Sequence, residues 1–378
     1  MMKNRIIIAF IFALVSLLCM SSNIVYASDI EIMAPAKSMI VLEGNTNTVL
    51  YSHNQDDRLA MASTTKIITA IVAIENYQED FDKKIKISDK AVGIEGTSIY
   101  IKKGEELSMR DLLYGLILAS GNDCAVAIAE CFGENGEFIQ MMNDFVVDLG
   151  LSDTHIDNPH GLDSDTHYTS AYDLAIITSY ALKNDLFREI VSTERWIIDG
   201  TDIYPTRYLK HKNKLLFTQD CCIGVKTGFT DNAGRCLVNA VEKGGMQIIS
   251  VVLNCPQMFE ECDRLTKLAL DNYMMKEFIK PYEFVSNVDV ADSDKSEIGV
   301  ITIEGKTMPI LKNEEDMYEV KYILDSSLVA PVLLNQKVGT VQLLYKGEII
   351  YCNNLISIES ADNNNLKYLI DNIIDEWF

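Results

Sequence analysis

The hydrophobic pattern is densest in residues 61–75, where a run of apolar side chains is interrupted by one positive charge, Lys66. After Ser63 the segment is apolar on nearly all sides, which is typical of a helix buried within a larger fold. Ser63 and Lys66 are three positions apart, so a helix places them on one face about one turn from each other. We therefore predict a buried helix that begins near Ser63 and carries one lysine inward.

Alternating and helical patterns predict the other elements of the first 280 residues. Residues 38–52 alternate around a turn at Gly44 and Asn45, which predicts a β-hairpin. Apolar positions at helical spacing predict helices over residues 108–118, 124–132, 137–149 and 170–182. After about residue 192 the pattern predicts strands at residues 196–198, 223–227, 235–241 and 246–253, and then a helix over 259–280.

The C-terminal part of the chain carries two further patterns. Residues 283–360 alternate in short segments with turns at about ten-residue spacing, which predicts a small all-β domain. Residues 361–378 have the pattern of an amphipathic helix, with an apolar face formed by Leu366, Leu369, Ile370, Ile373, Ile374 and Trp377. The apolar part spans only about 20 Å, too short to cross a bilayer. Such a helix either lies in a membrane interface or docks onto the protein itself. Its acidic polar face disfavours the membrane interface.

The N-terminus has the parts of a secretory signal peptide. Lys3 and Arg5 precede an apolar run over residues 6–20, and a small-residue cleavage site ends at Ala27. We expect cleavage after Ala27 and export of the mature chain to the outer face of the cytoplasmic membrane or the cell wall. A retained N-terminal anchor is the alternative, although the apolar run is short for a spanning helix.

Composition and charge narrow the class of protein. The full chain has a formal net charge of −22, which becomes −24 without Lys3 and Arg5. So acidic a chain is not drawn to nucleic acid or to an anionic membrane by bulk electrostatics. With 48% hydrophobic and 23% charged residues it is an ordinary globular protein. About 350 mature residues are too many for a single hydrophobic core, so we predict two domains, at residues 28–282 and 283–360.

Cysteines and histidines give no sign of a metal or cofactor site. Of nine cysteines, eight follow the predicted signal peptide, and none forms a Cys-x-x-Cys pair. The histidines are scattered without metal-ligand spacing, so no metal and no cofactor are expected. An even number of cysteines in an exported chain permits disulfides, and Cys236 with Cys255 is the pair to test first. We favour mostly buried free thiols, because several cysteines lie in apolar runs.

The buried lysine near a serine suggests nucleophilic chemistry. Burial disfavours an ammonium and depresses its pKa, and a neutral amine beside a hydroxyl supplies a nucleophile together with its base. Ser-x-x-Lys alone is common, and a serine N-cap with a snorkelling lysine also explains it. Two more motifs strengthen the first: Ser-Gly-Asn at 120–122 in a loop between helices, and Lys-Thr-Gly at 226–228 on a strand.

With these three motifs the chain resembles the serine D-alanyl-D-alanine carboxypeptidases, the low-molecular-mass penicillin-binding proteins of the SxxK acyltransferases. The resemblance covers nearly the whole mature length and also rests on the segments at residues 158–163, 167–175, 224–230 and 233–234. It implies an α/β (α+β) fold: a β-lactamase/transpeptidase-like domain with an antiparallel sheet flanked by helices and a helical subdomain, and a small all-β C-terminal domain. His160 and Asp173 match family positions but favour structural roles, as a turn residue and a helix-start carboxylate.

The resemblance implies a set of catalytic roles. Ser63 would attack the carbonyl between two D-alanines of a peptidoglycan stem peptide, and Lys66 would take the hydroxyl proton. Ser120 would relay that proton toward the leaving amine. The backbone N–H groups of Ser63 and Phe229 would form the oxyanion hole. A β-lactam would mimic the substrate and leave a slowly hydrolysed adduct on Ser63.

The resemblance also implies how the substrate is held. Asn122 would bind its backbone amide, Lys226 would place positive charge near its terminal carboxylate, and Thr227 would hydrogen-bond that carboxylate. Gly228 would let the peptide pair closely along the strand, where a side chain would intrude.

Two alternatives to a carboxypeptidase compete at this point. A class A-like β-lactamase would need fast deacylation, usually through a glutamate, but residues 158–167 offer only Asp163 and Asp165. Gly121 also stands where those enzymes have aspartate. A non-hydrolytic module that binds β-lactams or peptidoglycan is the second alternative, and the presence of every motif side chain argues against it.

Overall fold

A computed structural model of the chain describes residues 35–133, 136–364 and 370. The predicted signal peptide at residues 1–27 lies outside the described residues, as does most of the predicted helix at 361–378, namely residues 365–369 and 371–378. The chain divides into two compact units whose boundary in the sequence falls between Asn272 and Tyr273, ten residues before the expected domain boundary after residue 282. Among the described residues, no helix is both long enough and apolar enough to cross a membrane.

The described part of the first unit combines nine strands with seven α-helices. Its strands are β1 (Ser38–Glu43), β2 (Thr48–His53), β3 (Lys84–Lys86), β4 (Glu106–Ser108), β5 (Arg195–Ile198), β6 (Arg207–Lys210), β7 (Cys222–Thr230), β8 (Gly234–Lys243) and β9 (Met246–Leu253). Its helices are α1 (Lys66–Asn76), α2 (Met109–Tyr114), α3 (Asn122–Glu130), α4 (Glu137–Asp148), α5 (Ala171–Ala181), α6 (Asp185–Ser192) and α7 (Met258–Asn272).

Five strands form an antiparallel sheet in the order β2-β1-β9-β8-β7. All eight residues of β9 are buried, because α5 and α7 pack against this strand. A strand covered in this way is a continuous apolar run rather than an alternating one. β7 lies at the end of the sheet, so one of its edges pairs with no other strand of that sheet.

The central helix matches its prediction. A 3₁₀ turn (Ala62–Thr65) leads directly into α1, and nine of the eleven residues of α1 are buried, Lys66 among them. The predicted hairpin is confirmed as β1 and β2. Two predicted helix starts are also confirmed by their caps: Ser108 accepts a hydrogen bond from Asp111 N at the start of α2, and Ser170 caps α5 in the same way.

The predicted helix at residues 259–280 is wrong over its last eight residues, 273–280. α7 ends at Asn272, and the next residues form β10 (Tyr273–Ile279), which pairs with β13 (Lys306–Leu311) in the second unit. Met, Lys and Glu in this stretch favour a helix locally, but pairing with a distant strand overrides that preference. The short elements α6 and β6 were not predicted as separate elements.

Over residues 273–364 the second unit is all-β apart from one 3₁₀ turn (Glu315–Met317). Besides β10 and β13, its strands are β11 (Phe284–Ala291), β12 (Glu297–Thr302), β14 (Tyr318–Leu324), β15 (Leu328–Val329), β16 (Lys337–Tyr345) and β17 (Glu348–Ser357). Six of them form a sheet in the order β14-β16-β17-β12-β11-β15. Residues 361–364 are not helical, since Ala361 and Asn363 make β-bridges to Val332 and Ser293, so the predicted C-terminal helix is wrong over these four residues.

As predicted, seven cysteines are free thiols: Cys124, Cys131, Cys221, Cys222, Cys236, Cys255 and Cys262. Burial is less general than expected, because only Cys124, Cys236, Cys255 and Cys262 are fully buried.

Candidate active site

The Ser63 hydroxyl lies beside the amine of Lys66 at the junction of the 3₁₀ turn and α1. Lys66 Nζ is 2.8 Å from Ser63 Oγ, 2.7 Å from Asn122 Oδ1 and 2.6 Å from the carbonyl oxygen of His160. Two of these partners can only accept a hydrogen bond, whereas the serine hydroxyl can also donate one. A neutral amine has two N–H donors and one lone pair. This arrangement therefore suits a neutral Lys66 that receives the Ser63 proton.

The surroundings of Lys66 favour that neutral form. Its side chain is completely buried, and none of its three hydrogen-bond partners is a carboxylate. Burial, and then the charge of Lys212, lower the pKa of Lys66 to about 7. An amine with this pKa is substantially unprotonated near neutral pH.

The second motif lies where a π-helical segment (Gly115–Ala119), which continues α2, is joined to α3. Ser120 adopts a left-handed conformation with φ of +64°, which ends the helical segment and leaves Asn122 to begin α3. The amide Nδ2 of Asn122 donates to Glu95 O at 2.6 Å, and its backbone N–H donates to Thr97 O at 2.7 Å. These bonds fix the side chain whose oxygen accepts from Lys66.

The third motif places another buried lysine against the second motif. Lys226 lies on β7, and its Nζ donates to Ser120 Oγ and to Thr227 O, each at 2.9 Å. Burial, followed by the charges of Lys66 and Lys212, lowers the pKa of Lys226 well below its usual value. Within the described part of the chain, no carboxylate hydrogen-bonds to Lys66, Lys212 or Lys226. An incoming anion would therefore supply the negative charge that this group of lysines lacks.

Gly228 brings β7 against the turn that carries Ser63. A Cβ atom at Gly228 would lie 2.9 Å from Met61 O and 3.1 Å from Ser63 N. We expected a glycine here because a side chain would intrude on the substrate. The structure shows a second reason that holds without a substrate, since a side chain would collide with the turn that carries Ser63. Thr227 is half-buried beside it, and the side chain of Phe229 is exposed.

Comparison with known proteins identifies the family. Residues 25–257 match the peptidase S11 family, described as D-alanyl-D-alanine carboxypeptidase, and residues 273–362 match the C-terminal domain of penicillin-binding protein 5. The chain belongs to the S11 family of D-alanyl-D-alanine carboxypeptidases.

Relatives from several bacteria are similar over most of this S11 chain. It is 34% identical to DacF of Bacillus subtilis over 333 residues, which cover 85% of this chain and 84% of DacF. It is 32% identical to DacA of Escherichia coli K12, over 91% of this chain and 89% of DacA. Both relatives are named D-alanyl-D-alanine carboxypeptidases.

Solved structures show the same fold. Penicillin-binding protein 5 of Haemophilus influenzae matches 89% of this chain and all of its own, with a TM-score of 0.76 and 26% identity. The Streptomyces K15 DD-transpeptidase covers 64% of this chain and 97% of its own, with a TM-score of 0.59 and 31% identity. The predicted fold class, a mixed helix-and-sheet domain followed by an all-β domain, is therefore confirmed.

The structure adds groups to this S11 site that the sequence did not indicate. His160 was interpreted as a turn residue, yet its carbonyl oxygen accepts from Lys66. Lys212 follows β6, and its Nζ lies 3.3 Å from Thr97 Oγ1. Sequence reasoning had no signal for either, because every residue has a carbonyl group and Lys212 belongs to no motif. Asp173 accepts bonds from Thr154 Oγ1 at 2.8 Å and Asp153 N at 2.9 Å.

Proposed function

We propose that this protein is a serine carboxypeptidase that removes the terminal D-alanine from peptidoglycan stem pentapeptides through an acyl-enzyme on Ser63. The observation that carries the proposal is the 2.8 Å contact between Ser63 Oγ and the buried Nζ of Lys66, whose pKa is lowered to about 7. Membership of the S11 family supports the same reaction.

The acylation step uses the first two motifs. Ser63 Oγ attacks the carbonyl carbon between the two D-alanines while the lone pair of Lys66 Nζ accepts the hydroxyl proton. The carbonyl oxygen gains negative charge, which the N–H groups of Ser63 and Phe229 stabilise by about 3 kcal/mol per donor. When the tetrahedral intermediate collapses, the C–N bond breaks, and Ser120 relays to the departing D-alanine amine the proton that Lys66 accepted, which returns Lys66 to its neutral form. Water then hydrolyses the ester on Ser63.

Substrate binding uses β7 and the lysine cluster, which consists of Lys66, Lys212 and Lys226. The peptide adds along the open edge of β7, with its terminal carboxylate at Lys226 and Thr227. That carboxylate raises the pKa of Lys226 and favours its ammonium form, because opposite charges favour each other in a dry site. Asn122 keeps one N–H for the substrate amide, since Oδ1 accepts from Lys66 and Nδ2 uses one hydrogen on Glu95 O. A β-lactam, as a mimic of the substrate, acylates Ser63.

Export is part of the proposal. Peptidoglycan lies outside the cytoplasm, and residues 1–27 have the pattern of a signal peptide. All the proposed site residues lie in the unit that ends at Asn272. The C-terminal segment at 366–378 is a candidate for peripheral contact with the membrane surface.

The test combines two assays on the full mature chain. A synthetic stem peptide ending in D-Ala-D-Ala is expected to lose one D-alanine per molecule, and labelled penicillin is expected to form a stable adduct. Ser63→Ala is expected to lose both activities and remain folded. Labelling without D-alanine release would contradict the proposal in favour of a binding module, and release of the penicilloyl group many times per second would favour a β-lactamase.

A further inference from the structure

A chain of buried hydrogen bonds reaches the serine turn from the loop before α5. Asp157 N donates to Nδ1 of His167 at 3.0 Å, and Nε2 of the same ring lies 2.8 Å from Thr65 Oγ1. Thr65 Oγ1 also donates to Ala62 O at 2.8 Å. His167 and Thr65 are both buried, so these bonds are protected from competing water.

The backbone N–H of Asp157 fixes the direction of every hydrogen bond in this series. A backbone N–H can only donate, so His167 Nδ1 accepts and carries no hydrogen. The neutral ring therefore carries its hydrogen on Nε2, which donates to Thr65 Oγ1 and leaves that hydroxyl to donate to Ala62 O. Burial lowers the pKa of His167 to about 4, so the ring stays neutral near pH 7.

The last hydrogen bond of this series, from Thr65 Oγ1 to Ala62 O, reaches the peptide group that contains the Ser63 N–H. Ala62 O and Ser63 N–H belong to one planar trans peptide and point in opposite directions. Gly161 packs against the carbonyl side of this peptide group, since a Cβ at Gly161 would lie only 1.9 Å from Ala62 O. On the other side, Ser63 N faces Gly228 of β7. Ala62 has φ of +48°, a left-handed conformation that is unfavourable for alanine, so the turn depends on support from its neighbours.

We propose that His167 and Thr65 are positioning residues for the oxyanion hole. They hold the peptide group between Ala62 and Ser63 so that the Ser63 N–H points at the carbonyl oxygen under attack. Because hydrogen bonds in a chain polarise one another, they also make this N–H a stronger donor. The inference rests on the proposed function, in which Ser63 is the nucleophile. Neither residue touches the substrate.

Threonine variants at position 65 test the inference. Thr65→Val keeps the volume of the side chain and removes the hydroxyl at the centre of the chain. We expect acylation by labelled penicillin to slow about tenfold, the usual scale for one hydrogen bond, with kcat for the stem peptide lowered and KM little changed. Thr65→Ser restores a hydroxyl and is expected to recover most of the rate. Equal rates for the valine and serine variants would overturn the inference.

A second variant and a matched control separate positioning from folding. His167→Phe is expected to slow acylation like Thr65→Val, and the double variant to be no more than about twofold slower than either, because both break one chain. Thr178→Val removes another buried threonine hydroxyl, which donates to Leu174 O at 2.7 Å in α5. It is expected to acylate at the wild-type rate. Full additivity in the double variant, or an equal loss in Thr178→Val, would contradict the positioning role.

The outcomes also separate this inference from the proposed function. Normal labelling of Ser63→Ala would refute the proposed function itself. Loss of labelling in Ser63→Ala with normal rates in Thr65→Val and His167→Phe would refute only the positioning role. If Thr65→Val does not fold, His167→Phe decides alone, compared with His167→Gln, whose amide N–H can still donate to Thr65. Equal rates for those two variants would overturn the inference.

Discussion

The two buried lysines of the site lie in different surroundings. Lys66 Nζ has three partners within 2.8 Å, whereas Lys226 Nζ has two at 2.9 Å, Ser120 Oγ and the carbonyl of Thr227. Burial is the largest cause of a lowered pKa for both. The acceptors around Lys66 satisfy a neutral amine, while Lys226 contacts a serine hydroxyl at the strand where a substrate would dock. The surroundings of Lys66 are complete without a substrate, whereas we propose that a substrate anion would complete those of Lys226.

This difference teaches how two identical side chains can take different charge states, one neutral and one positive. Each lysine disfavours the charge of the other, and the charge of Lys66 is the first electrostatic cause of the low pKa of Lys226. A substrate carboxylate beside Lys226 would hold that lysine protonated. The resulting positive charge would in turn help Lys66 to stay neutral, as a base must. Substrate binding would therefore assign the two roles.

The largest effect is expected at the base. Lys66→Met keeps an unbranched side chain in the buried helix and removes the amine. Acylation by labelled penicillin is expected to fall at least about a thousandfold, within the range for loss of a general base. The melting temperature should not fall, because a buried amine is replaced by an apolar group. Labelling within tenfold of the wild-type rate would show that Lys66 is not the base.

A smaller effect is expected at Lys226, for which we propose an anion-binding role. Lys226→Gln should lower kcat/KM about a hundredfold for a peptide with a free terminal carboxylate, because a close pair of opposite charges is lost. The matched substrate carries a terminal amide instead. The wild-type enzyme should prefer the acid strongly, and the variant should treat the two peptides alike. If the variant kept the full preference, the carboxylate would have to bind elsewhere.

The smallest effect concerns the third lysine, Lys212. Its charge lowers the pKa of Lys66, so Lys212→Gln should raise that pKa. Because the base works unprotonated, acylation decreases as the pH falls through the pKa of Lys66. The acid limb of the pH–rate profile should therefore move to higher pH, by less than about one unit for an exposed charge. A limb that moved to lower pH would reverse the sign of this coupling.

The sequence located the side chains of the site but not the backbone around them. Three short motifs at the right helix, loop and strand positions predicted that Ser63, Lys66 and Lys226 belong together. The carbonyl of His160 and the peptide group before Ser63 could not be predicted, because backbone atoms carry no residue signature. Lys212 was equally invisible, since only the fold brings it to the lysine cluster.

The same limit applies to the fold. The hairpin at residues 38–52 and the helix after Ser63 are local patterns, and both were predicted. The strand β10 was mistaken for the end of a helix, because its partner β13 lies some thirty residues further along the chain, with Met275 opposite Pro309. Long-range pairing of this kind decides an element against its local preference.

The central claim is that Lys66 is a neutral base, and its side-chain pKa tests this most directly. The protein can be labelled with ¹³C at lysine Cε and titrated by NMR, with the Lys66 signal assigned by its loss in Lys66→Met. We predict a pKa near 7, far below the usual lysine value of about 10.4. A pKa close to that usual value would mean that the amine is charged at neutral pH, and would contradict the account.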